Sequence, residues 1–157
     1  MADKFTESLD KASVMLKTAD HMLYMTYPLI KENRLLLKIL NEIYLSMLGV
    51  INAILQYEYF NKRIQLYKDS KDNFQVFKNN CAPKYSITQE QIEKIIEIFS
   101  LEEKHKNSPF EFVRNDKVVI MSDGLRIATI TVEKMKDFIF LTKDILRKAE
   151  NIIRYNK

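Results

Sequence analysis

Apolar residues recur at helical spacing from Asp3 to about Tyr27: Phe5, Leu9, Ala12, Met15, Leu16, Ala19, Met22 and Leu23 predict an opening helix. Pro28 and the polar run Lys31-Glu32-Asn33-Arg34 predict a break after it. A second helix is expected from near Lys31 to about Tyr67. Its segment Leu35–Phe60 is apolar on three sides, with one polar stripe of Lys38, Asn41, Glu42, Ser46, Gly49, Asn52 and Gln56. Such a helix is expected to be the spine of a bundle, about 39 Å long at 1.5 Å per residue. The stripe reads as its solvent-facing or loosely packed edge.

Asp69–Ser86 reads as a polar connection with one short helix around Phe74–Phe77. Thr88 and Gln91 then have the form of a capping box, and Ile92, Ile95, Ile96 and Phe99 make the stripe of a third helix. That helix fades before Pro109. From Phe110 the period changes to alternation rich in β-branched residues, with Asn115-Asp116 and Asp123-Gly124 as turn dipeptides. Strands are expected near 110–114, 117–122 and 125–130. Thr131 then caps a last helix over 132–155, whose apolar face carries Val132, Met135, Phe138, Ile139, Thr142, Ile145, Leu146, Ala149, Ile152 and Ile153. The pattern predicts a mainly α protein. It is a single domain over 1–157: a bundle of four main helices with a small antiparallel hairpin or meander inserted at about 110–131.

Composition narrows the chemistry. The 157 residues include two glycines and one cysteine. Gly49 and Gly124 are too far apart for a phosphate loop, a dinucleotide fingerprint or a nucleophile elbow. One cysteine excludes an internal disulfide and a thiolate zinc site. The polar, charged N-terminus has no signal-peptide character, and a cytoplasmic location is expected. Lys38, Glu42 and Glu58 interrupt the one stretch that resembles a membrane span, since charges near a span's centre cost about 2.5–3.5 kcal/mol each. No span is therefore expected.

Three constellations bear on chemistry. Glu102-Glu103-Lys104-His105 matches the Glu-x-x-His pair of di-iron bundles, but the residue three before the other histidine, His21, is Thr18. No metal and no cofactor are expected. Cys81 is the only thiol, and His105 its only evident base, with no glycine-lined loop beside either. Cys81 reads better as a small apolar anchor, and His21 as a histidine at the edge of the core. Net charge is +4, and residues 61–84 carry six Lys/Arg against two Asp/Glu. Lys62, Arg63, Lys68, Lys71 and Lys78, interleaved with Tyr57, Tyr59, Phe60 and Tyr67, are the candidates for RNA or DNA binding.

Two long helices, a short one and two more resemble the HEPN-like helical superfamily in layout. That resemblance implies a four- to five-helix bundle, often dimeric, among ribonucleases, toxins and partners of nucleotidyltransferases. The family signature is an arginine followed by a histidine with four to six residues between them. Positions 98–100 hold Ile98, Phe99 and Ser100, and positions 14–16 hold Val14, Met15 and Leu16. The signature is absent, so the resemblance implies a non-catalytic relative. The stretch SPFEFVRNDKVVIMSDG also resembles small archaeal proteins of this layout.

The expectation is a non-catalytic protein that works by association, first as a homodimer through the spine. Leu45, Leu48, Gly49, Ile51 and Leu55 are the candidate interface residues. The alternative is a nucleic-acid-binding module or a component of a toxin–antitoxin pair. Gly49 in mid-helix costs about 1 kcal/mol relative to alanine, so another helix is expected to cross there.

Overall fold

The computed structural model describes residues 3–108, 110–114, 117–122 and 126–155. Helix α1 spans Asp3–His21, and the chain stays helical through a wider π turn at Met22–Thr26 into the short α2, Tyr27–Ile30. The spine α3 is Leu35–Phe60, followed by α4 (Ser70–Val76), a π turn at Phe77–Cys81, and α5 (Gln89–Asn107). Strands β1 (Phe110–Arg114), β2 (Lys117–Ser122) and β3 (Arg126–Ile130) precede α6 (Val132–Glu150), which ends in a third π turn, Asn151–Tyr155. The protein is mainly helical, with a three-stranded antiparallel sheet before the last helix.

The predicted break at Pro28 is displaced. Proline lacks an N–H and its ring crowds the carbonyl four residues back, so an ordinary helix cannot accept it. Here the preceding turn widens, with the Tyr27 N–H bonded to the Met22 carbonyl, and Pro28 falls at the start of α2. The chain leaves the helix at Lys31, which is left-handed with φ 54°, its N–H on the Tyr27 carbonyl. The spine is also shorter than the pattern predicts. It stops at Phe60 because Asn61 turns its side-chain amide onto the Tyr57 carbonyl and Lys62 takes φ 59°. The short helix starts earlier than expected, at Ser70, where the Asp69 side chain accepts the Lys71 N–H.

The polar stripe on α3 is not one solvent edge. Lys38 and Asn52 are exposed, but Ser46 is fully buried and its hydroxyl donates to the Ala12 carbonyl at 2.8 Å. Gly49 faces the same helix: a Cβ there would lie 3.3 Å from Ala12 Cβ and 3.5 Å from the Ser8 carbonyl oxygen. The glycine thus does what its cost predicts, admitting α1 at close range. Most of the rest of the spine's apolar circumference is covered within the chain. Leu36, Ile39, Leu40, Ile43, Met47, Val50 and Ile54 are fully buried in a core shared with Leu9, Leu16, Phe77, Ile95, Phe138 and Ile145. By length and composition α3 is apolar enough to cross a membrane; in the fold, helices α1, α5 and α6 pack on it.

The capping box at α5 forms as predicted, with the Thr88 hydroxyl accepting from Gln91 N–H and the Gln91 side-chain Oε1 accepting from Thr88 N–H, both at 3.1 Å. Its glutamine also ties α5 to α6, donating to Asp144 Oδ2 at 2.8 Å, while Lys148 donates to the Gln91 side chain and to the Ser86 carbonyl. Burial alone would raise the Asp144 carboxyl; hydrogen bonds from Gln91, Arg147 and Lys148 outweigh it and hold the group at about 2. The α5 stripe is rotated from the expected one: Ile92, Ile95, Ile98 and Leu101 are buried, while Ile96 is 43% exposed.

The strands pair as a meander, with Phe112 opposite Val119 and Val118 opposite Ile130, and Val118, Ile120 and Ile130 join the core. Both expected turn dipeptides, Asn115-Asp116 and Asp123-Gly124, lie outside the described residues. Thr131 caps α6 as expected, accepting the Lys134 N–H at 3.1 Å.

Gly49→Leu should destabilise the protein by about 1–3 kcal/mol, because the added side chain must push α1 off Ala12. Urea unfolding followed by circular dichroism measures this; an unchanged midpoint would show that the crossing is not tight.

A candidate ligand groove between α3, α4 and α5

Helix α3 turns Ser46 and Gly49 toward α1 and presents Tyr44, Leu48, Ile51 and Leu55 on its far side. With α4 and α5 these residues enclose a cleft of ≈730 Å³. The aromatic part of its wall is continuous: Phe99 of α5 meets Tyr44 edge-on at 5.5 Å and Phe74 of α4 at 5.8 Å. Lys106 Nζ lies over the Tyr44 ring at 5.3 Å. Lys71 and Glu103, both exposed, also line the cleft. Its size falls in the range of small-molecule sites, roughly 300–1,000 Å³.

One lining residue stands apart. Glu102 is only 1% exposed, and both carboxylate oxygens are buried without a hydrogen-bond partner. Burial pushes its carboxyl above the ordinary glutamate value, against the opposing pull of Lys106 and His105. Neither cation pairs with it. Lys106 is turned to Tyr44, and the His105 imidazole contacts Glu111 on β1.

The other buried glutamate shows what a satisfied one looks like here. Glu58 is 2% exposed and accepts from Tyr85 OH at 2.9 Å and from Lys84 Nζ at 3.0 Å, with Arg63 3.8 Å away. Burial, then the Glu58 charge, push the Tyr85 hydroxyl up, so it remains a donor. Glu58 thereby fastens the Ala82–Ile87 loop to the end of α3. Glu102 fastens nothing.

The sequence candidates scatter. Ile51 and Leu55 are buried at the cleft wall, Leu48 lines it half-buried, Leu45 is half-buried, and Gly49 is on the α1 side. Lys62 and Lys68 are exposed, Arg63 sits 6.0 Å from the Tyr57 ring, Lys71 lines the cleft and Lys78 is half-buried. Cys81 is fully buried; burial and then the Glu58 charge push its thiol up to about 12, which makes it an apolar anchor rather than a nucleophile. His21 is exposed rather than at the edge of the core. Among the described residues no group of three or more His, Cys, Asp or Glu is placed to hold a metal ion. Glu102 stands out in the sequence only as half of a Glu-x-x-His pair. Its position gives the better signal, since Ile92, Ile95 and Phe99 continued at helical spacing arrive at a carboxylate.

No family model matches the chain, and no curated protein matches it.

Glu102→Met should stabilise the protein by about 1–3 kcal/mol at pH 8, the cost of a buried polar group left unsatisfied. The raised carboxyl means that the folded state holds more protons than the unfolded one at pH values above the ordinary 4.5. Wild-type stability therefore falls as pH rises through that window, and the advantage of the variant shrinks toward pH 4. Urea unfolding at pH 4 and pH 8 measures both; a variant weaker than wild type at each pH would mean that Glu102 has a partner.

Proposed function

We propose that this protein is a non-catalytic binding protein that works by association, its partner seated in the cleft between α3, α4 and α5. The observation that carries this reading is Glu102: a buried carboxyl group without a hydrogen-bond partner in the wall of a cleft that sets apolar and aromatic side chains beside polar ones. A buried unsatisfied group costs about 1–3 kcal/mol, a cost that a partner offering a donor would remove. The HEPN-like layout without its arginine–histidine signature supports a role without catalysis, as does the inert, buried thiol of Cys81. An aromatic wall backed by α3, the most deeply buried helix, suits a preformed site.

A photo-reactive phenylalanine analogue at Leu48 should give a discrete cross-linked adduct in the native host cell, and the same residue at Glu7, on the exposed side of α1, should not. An adduct near twice the 18.6 kDa chain mass identifies a second copy; any other added mass, that of a small molecule included, identifies a different partner. Equal adducts from both positions, or none from Leu48, would overturn the reading.

A nucleic-acid-binding reading is favoured by a separate observation. Tyr59, Phe60 and Tyr67 are exposed beside the exposed cations Lys62 and Lys68. Aromatic rings that stack bases next to cations that neutralise phosphates are the ingredients of single-strand binding. On this reading the Lys62→Glu/Lys68→Glu pair weakens binding to single-stranded RNA and lowers the salt slope by about 1.4, at about 0.7 for each phosphate no longer neutralised. Fluorescence anisotropy over a salt series measures it; an absence of wild-type binding at low salt would dismiss this alternative.

A further inference from the structure

We infer that the cleft between α3, α4 and α5 takes a small organic monocation: a primary ammonium on an apolar body, with the ammonium against Glu102 and the body against Tyr44, Leu48, Phe74 and Phe99. This rests on the cleft being the binding site and adds the chemical class of what binds there.

The inference comes from what Glu102 lacks. Both of its oxygens are buried acceptors without a donor, and the carboxyl has no ion-pair partner among the described residues. A carboxylate in a low-dielectric wall gains most from a group that brings charge and N–H donors together, because charge-assisted hydrogen bonds are roughly twice as strong as neutral ones. A carboxylate ligand would meet like charge there. A neutral alcohol would supply one donor and no charge.

The surroundings limit the ligand to one charge. Lys71 and Lys106 line the same cleft, where Glu103 is the one acidic side chain besides Glu102. A second ammonium on the ligand would meet these lysines, which disfavours diamines and polyamines. An apolar body suits Leu48, Ile51, Leu55, Phe74 and Phe99, while Asn52, Asn73, Gln75 and Ser100 line other parts of the cleft. The length of that body is bounded by the cleft volume of ≈730 Å³.

The test uses n-hexylamine, n-hexanol and hexanoate as probes, titrated into the ¹⁵N-labelled full chain at pH 8 and followed by amide shifts. The amine should bind at least tenfold more tightly than the alcohol, with hexanoate weakest and the largest shifts at residues of α3, α4 and α5 that line the cleft. In Glu102→Gln, the amine should fall to the affinity of the alcohol while hexanol is unchanged. Leu48→Arg, which obstructs the cleft without altering the carboxyl, should abolish the shifts from both probes, and its spectrum reports whether it remains folded. Equal affinity for amine and alcohol, or an amine affinity unaffected by Glu102→Gln, would overturn the cation assignment and leave the cleft as a binding site. If none of the three probes shifts cleft residues, the cleft itself is not the site.

Discussion

The close crossing of α1 over α3 is the contact on which the rest of the arrangement depends. Gly49 removes the side chain that would hold the helices apart, and Ser46 donates its hydroxyl to the Ala12 carbonyl across the gap. Protein interiors are packed nearly as densely as crystals, so a helix admitted this closely on one side fixes what the other sides can accept. With α1 seated there, α6 and α5 cover further parts of the spine. The side bearing Tyr44, Leu48, Ile51 and Leu55 is only partly covered, by α4 and α5, and that incomplete cover is the cleft.

The two buried glutamates divide the molecule's polar interior into structure and function. Glu58 has three polar neighbours within 3.8 Å and holds the loop after the second π turn to the spine. Glu102 has desolvation without compensation. Natural interiors satisfy nearly all their buried polar groups, and an exception calls for a specific reason. Here the exception lies on a cleft wall, on the α5 face shared by Phe99, Glu103 and Lys106. A purely structural explanation would need a reason for keeping a carboxyl where leucine or methionine would pack at lower cost.

Much of the fold is legible in the chain because it is written in local terms. The capping box of Thr88 and Gln91, the Thr131 cap, the apolar face of α6 and the change of period at Phe110 each depend on residues a few positions apart. Helix ends are less legible. Pro28 signals a break, yet a π turn upstream absorbs it, and nothing local forecasts that the preceding turn will widen. Ile96 matches the apolar spacing of α5 as well as Ile98 does, and only the direction from which α3 and α6 approach decides that Ile98 is buried. The same is true of the polar stripe on α3, where Ser46 shares a helical face with Lys38 although one meets α1 and the other meets water.

By itself, the sequence determined the helical class, the approximate positions of the three strands, two N-caps and the need for a helix to cross at Gly49. All of these follow from propensity, spacing or steric cost within one segment. Tertiary structure alone decided which helix crosses there, how the spine's apolar circumference is shared among its neighbours, and which glutamate finds donors. Those outcomes depend on pairs far apart in the chain, such as Ala12 with Ser46 and Glu58 with Tyr85. Burial and hydrogen-bond satisfaction are properties of the packed whole. Glu58 and Glu102 are both glutamates on helices rich in isoleucine and leucine, and only packing gave one a tyrosine and a lysine and left the other buried without a donor.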